Sequence, residues 1–112
     1  MYLFNLDQAV VEDRKIRDYL LNVQHPDGGS KARFFLKVGF SPDRLVDFRL
    51  FLIRHAKEHP VARIEKTAFG TKYIIEGKAE GPNQYSFDLR TVWMAPNAPS
   101  FPLLITAYPL TS

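Results

Sequence analysis

The apolar residues of this 112-residue chain change their spacing at Pro60. Before it they recur every three or four positions, as on one face of a helix, and after it they alternate, as on one face of a strand. Asp13 is placed to cap a first helix from Arg14 to about Leu21, with Ile16, Tyr19 and Leu20 sharing a face. Pro26-Asp27-Gly28-Gly29 ends it, Ser30 is placed to cap a short second helix through Phe34, Phe35 and Val38, and Gly39 suits the position after its end. The stretch SPDRLVDFRLFLIRHAKEHP predicts a third helix, with Ser41 as N-cap, Pro42 at the first helical position, Leu45, Phe48, Leu52 and Ala56 as the apolar stripe, and Pro60 as the stop.

Beyond Pro60, residues 61–68 and 71–79 flank Phe69-Gly70 as a hairpin. In QYSFDLRTVWM, Tyr85, Phe87, Leu89, Thr91 and Trp93 alternate with Ser86, Asp88, Arg90 and Val92, and PLLITAY predicts a last strand. Gly81-Pro82-Asn83 and Pro96 to Pro102 are the expected loops. The order predicts an α+β fold, three N-terminal helices packed on a four-stranded antiparallel sheet, with residues 1–112 as one domain. Its expected core holds Phe34, Phe35, Leu45, Phe48, Leu52, Ile74, Leu89, Trp93 and Leu104.

Without cysteine there is no disulfide, no thiol nucleophile and no Cys-ligated zinc, which suits a reducing compartment. The N-terminus lacks the charged and apolar regions of a leader, and no run is long enough to span a membrane, so the expected location is the cytoplasm. A net charge of +3 and a pI near 9.3 favour an anionic partner only mildly, so any RNA site must be a local cluster.

HPDGGSKARFF carries the most chemistry. A helix start offers unpaired N–H groups and a positive dipole end, so Gly28 and Gly29 would let a phosphate approach the backbone while Lys31 adds charge. The alternative is a plain turn followed by a helix cap. The segment is not a P-loop, because G-x-x-x-x-G-K-[ST] is absent. His25 is the side chain best able to exchange protons with a ribose 2′-hydroxyl or a leaving oxygen near neutral pH. The strands add Lys72, Arg90, Thr91, Thr106 and Tyr108. Alternation puts Lys72 and Arg90 on the opposite face from Tyr73 and Thr91, so Lys72 and Arg90 with Thr106 or Tyr108 form one set that would line a sheet surface.

His55 and His59, one helical turn apart, read as a solvated helix end, because H-E-x-x-H is missing and no third ligand is near. Paired glycosidase carboxylates, a serine nucleophile elbow and a dinucleotide-binding glycine loop are absent. No metal and no cofactor are expected.

From KIRDYLLN and HPDGGSKARFF through GTKYIIEG and RTVW to LLITAYP, the chain resembles an uncharacterised bacterial family of unknown function, almost end to end. The resemblance implies a small cognate partner protein, since some members are encoded beside another small protein as toxin–antitoxin pairs are. A more distant similarity is to the barnase–EndoU–colicin–RelE-like toxin domains, whose helices precede a four-stranded sheet bearing a metal-independent ribonuclease site. These similarities imply catalytic roles for His25, Tyr108 and Thr106, and RNA phosphate binding by Lys31, Lys72, Arg90 and Thr91. Three readings follow: a ribonuclease-like toxin, a non-enzymatic antitoxin, immunity or adaptor module using the same basic surface, or polar positions that serve folding alone.

Overall fold

The computed structural model describes residues 1–96 and 101–110, so the expected Pro96–Pro102 loop lies in part outside the described residues. A 3-10 turn at Leu6–Gln8 precedes α1 (Asp13–Lys15), α2 (Gly29–Lys37), α3 (Leu45–Glu58), β1 (Val61–Thr67), β2 (Gly70–Glu80), β3 (Ser86–Ala95) and β4 (Leu103–Pro109). The strands form one antiparallel sheet in the order β1-β2-β3-β4.

The expectation of three N-terminal helices packed on a four-stranded antiparallel sheet is corrected at its first helix. In place of a helix from Arg14 to Leu21, α1 is a three-residue turn that runs directly into a π-turn at Ile16–Leu20. The Leu21 N–H reaches back five residues to the Ile16 carbonyl at 2.8 Å. A wide turn of this kind re-aims the side chains it carries. Ile16 and Leu20 enter the core, while Tyr19 remains half-exposed.

The three expected caps are corrected as well. Glu12 stands at the cap position ahead of Asp13, Gly28 stands ahead of α2, and Arg44 ahead of α3. Ser41 accepts a bond from the Asp43 N–H at 3.1 Å, which folds Pro42 and Asp43 into a turn and delays α3 to Leu45. Gly39 ends α2 with a φ of 111°, a left-handed conformation that glycine adopts without strain. The first hairpin pairs Thr67 with Gly70, so its turn is Ala68-Phe69, one residue earlier than expected.

The helices cover one sheet face. Ile75, Phe87, Leu89, Trp93, Leu104 and Ala107 cluster there with Phe35 and Phe48, whose rings meet edge-on at 5.0 Å, and with Leu52 and Ala56 of α3. Phe34 and Leu45 are only partly buried against this core, and Ile74 is buried on the opposite face. Opposite β3's core residues stand Lys72, Ile74 and Glu76 of β2, Arg90 and Val92 of β3, and Thr106 and Tyr108 of β4, paired across the strands. An extra residue in β4, between the partners of Val92 and Trp93, makes a bulge that keeps Leu104 in the core and Thr106 on the open face.

The edge of β4 is partly covered. Val10 bridges Leu103 in parallel, accepting from the Leu104 N–H at 2.9 Å and donating to the Pro102 carbonyl at 2.8 Å. This pairing brings the segment that follows, with Tyr19, beside the last strand. Among the described residues no helix is long and apolar enough to cross a membrane.

Candidate functional site

The turn before α2 fixes the first component. His25 Nδ1 accepts the N–H groups of Asp27 and Gly28, both at 3.0 Å. A ring nitrogen that accepts two N–H bonds carries no proton, so neutral His25 has its hydrogen on Nε2. The imidazole thereby takes two of the backbone donors that a phosphate cradle at the helix start would have used.

The glycines answer to close approach. A Cβ on Gly28 would lie 2.7 Å from a carbon of the Tyr19 ring, and one on Gly29 would lie 2.6 Å from the Val23 carbonyl oxygen. The turn is thus a seat for Tyr19, whose ring meets that of His25 edge-on with centroids 4.9 Å apart.

Tyr19 joins α2 to the sheet. Lys31 Nζ donates to the Tyr19 hydroxyl at 2.6 Å, and that hydroxyl lies 3.2 Å from Thr106 Oγ1. Burial raises the Tyr19 pKa, but the Lys31 and Thr106 hydrogen bonds and the charges of Lys31 and Lys15 outweigh it and bring the phenol below its ordinary value. Lys31 Nζ also stands 5.1 Å from the centre of the Tyr108 ring. Arg90 Nη1 donates to the Tyr108 hydroxyl at 2.8 Å, while Nε donates to Glu76 Oε2 at 2.7 Å and Nη2 meets the same oxygen. The bonds from Tyr108 and Glu76 raise the pKa of Arg90 further.

One continuous cluster therefore contains His25, Tyr19, Lys31, Thr106, Tyr108, Arg90 and Glu76. Five of the seven residues singled out in the sequence are brought together in it. Lys72 shares the open face but stands four residues from Glu76 on β2, about 13 Å along the strand, and faces Glu65 at 4.0 Å. Thr91 is on the other face, fully buried, where its hydroxyl lies 3.1 Å from His55 Nδ1.

His55 departs from the expected solvated helix end, being only 3% exposed. Its Nε2–H donates to the Gly77 carbonyl at 3.1 Å, which leaves Nδ1 to accept from Thr91. Burial pushes its pKa down to about 4. His59 lies outside the core and donates from Nε2 to the Lys78 carbonyl at 2.8 Å. Among the described residues no group of three or more His, Asp or Glu is placed to hold a metal ion.

Residues 2–111 match the model of a family described as a domain of unknown function, DUF6883. The chain belongs to DUF6883. No curated protein matches its sequence. The fold of this DUF6883 chain is similar to a chain of the contact-dependent growth inhibition toxin–immunity protein complex from Klebsiella pneumoniae 342. The TM-score is 0.72 at 16% identity, over 96% of the DUF6883 chain and 97% of the other, a likeness of fold.

Two members of the cluster escape a reading of the DUF6883 sequence by periodicity. Tyr19 has the spacing of an apolar stripe with Ile16 and Leu20, and only its phenol at a position where leucine would pack as well hints at another use. Glu76 looks like any exposed strand carboxylate until its register opposite Arg90 is known.

Proposed function

We propose that this DUF6883 chain is the toxin module of a toxin–immunity pair and acts in the cytoplasm by cleaving RNA without a metal. The observation that carries this reading is the convergence of Lys31 and Arg90, from α2 and β3, on the hydroxyls of Tyr19, Thr106 and Tyr108. Two cations beside several hydroxyls on an open sheet face suit a phosphodiester, whose charge grows as it is attacked. The similarity of fold to a chain of a toxin–immunity complex supports the same reading, and so does the resemblance to the barnase–EndoU–colicin–RelE-like domains.

In this reading Lys31 and Arg90 hold the scissile phosphate. The ribose 2′-hydroxyl attacks phosphorus, the P–O5′ bond breaks, and a 2′,3′-cyclic phosphate and a 5′-hydroxyl end result. Tyr108, whose oxygen already accepts from Arg90, keeps its O–H to protonate the leaving 5′-oxygen. Thr106 positions Tyr19. His25, with its proton on Nε2, donates a hydrogen bond to a phosphoryl oxygen, and Lys72 contacts the backbone farther along the face.

A second reading is favoured by the Arg90–Glu76 pair, since a carboxylate already on the guanidinium opposes a second anion. It is a module that holds a cognate partner protein on this surface without chemistry. The deciding experiment incubates the purified chain with cellular RNA in the presence of a chelator. The expected result is cleavage leaving cyclic phosphate ends, reduced about 100-fold or more in Arg90→Ala. Intact RNA with the wild-type chain would overturn the nuclease reading in favour of a role without chemistry.

A further inference from the structure

We propose that Tyr19 is the group that takes the proton of the attacking 2′-hydroxyl, from its place between Lys31, Thr106 and His25. This inference rests on the nuclease reading and supplies the base that the reading lacks.

His25 cannot fill that role while it holds its turn. Its Nδ1 is committed to two N–H groups and its Nε2 carries the proton, so accepting another would turn Nδ1–H toward the donors of Asp27 and Gly28. Lys31 and Arg90 are cations with no acceptor. Thr106 is an alcohol with no comparable tendency to ionise. The Tyr19 oxygen receives a charge-assisted bond from Lys31 Nζ at 2.6 Å and has Thr106 Oγ1 at 3.2 Å, an arrangement that suits a phenolate.

The charges nearest the phenol are cations, and they favour its ionised form. Lys31 of α2 touches its oxygen, and Lys15 of the preceding turn lies 5.5 Å from its ring centre. From the loop, the His25 ring meets the phenol ring edge-on, and β4 contributes no charge at Thr106. Glu12, Arg14 and Asp18 line an open groove of about 320 Å³ together with Lys15, Tyr19 and His25, and there the carboxylates of Glu12 and Asp18 oppose the cations.

The step balances within the site. Tyr19 phenolate takes the hydrogen of the 2′-hydroxyl as the new O–P bond forms, and Tyr108 gives its phenolic hydrogen to the 5′-oxygen as the P–O5′ bond breaks. Water then returns a proton to Tyr108 and removes one from Tyr19.

The test combines two measurements on the intact chain. Tyrosine ionisation, followed by ultraviolet difference absorbance or by NMR of labelled tyrosine, should show one phenol titrating ahead of the others. That signal should vanish in Tyr19→Phe and move back toward the ordinary range in Lys31→Met. Tyr19→Phe keeps the ring against Gly28 and His25, so it should stay folded while its kcat on RNA falls about 100-fold or more with KM little changed. The acidic limb of the wild-type pH–rate profile should disappear from the residual activity. If wild type cleaves RNA and Tyr19→Phe cleaves it within about threefold, Tyr19 is not the base, and the nuclease reading stands without it. No early-titrating phenol also overturns the proposal. Loss of both inferences is marked by a wild-type chain that titrates as expected yet leaves RNA intact.

Discussion

The backbone of Gly28 lies so close under the ring of Tyr19 that even a methyl group there would come within 2.7 Å of it. The neighbouring atoms are a ring and the Tyr19 carbonyl, held by the π-turn, so they have little room to yield. The glycine at the start of α2 and the phenol of the cluster are therefore one design.

Gly28→Ala should push Tyr19 out of its seat and weaken its contact with Lys31. The expected cost is about 1–3 kcal/mol in urea denaturation, the range for forcing a methyl group into a packed site. The Tyr19 resonance should also lose its dependence on Lys31. A stability unchanged within about 0.5 kcal/mol would mean that the turn and the ring are not in contact.

His55 predicts a pH dependence of stability. Its folded pKa of about 4 lies below the ordinary 6.5, so between these values the unfolded chain binds more protons than the folded one. Stability from this group is full above pH 6.5 and is lost as pH falls toward 4, by about 3 kcal/mol at most. Denaturation of wild type and His55→Gln across this window should give curves that converge toward acid. Parallel curves would show that His55 titrates alike in both states.

Ser30 follows from the corrected cap. It is exposed, one residue inside α2, and the α2 cap position makes no side-chain hydrogen bond. Ser30→Ala should therefore change stability by less than about 0.5 kcal/mol, and alanine's helix propensity favours a gain. A loss of about 1 kcal/mol, as for a true N-cap, would contradict the helix start described here.

Much of the site was legible one strand at a time. Alternation already separates Lys72 and Arg90 from Tyr73 and Thr91, and the structure keeps that division, with Thr106 and Tyr108 on the side of Arg90. The first helix was not legible, because Ile16, Tyr19 and Leu20 fit an α-helical stripe as well as they fit a π-turn. The two differ by where one carbonyl bonds, and that depends on packing around Leu21 and Tyr19. His55 was equally hidden: the same spacing that puts it beside His59 leaves open whether its helix face meets solvent or Gly77.

By itself the sequence determined the change from helical to strand periodicity at Pro60, the alternation of faces in β2 and β3, and the left-handed end of α2 at Gly39. These are local properties, set by side-chain spacing and by the conformations a residue can adopt. Tertiary structure decided that Tyr19 meets Lys31 and Thr106, that Arg90 lies between Glu76 and Tyr108, and that Thr91 faces His55. Such meetings depend on the bulge in β4, the Val10–Leu103 bridge and the glycine-seated ring, which act between residues far apart in the chain. Their energies exist only once the two faces of the sheet have been told apart by the helices that pack on one of them.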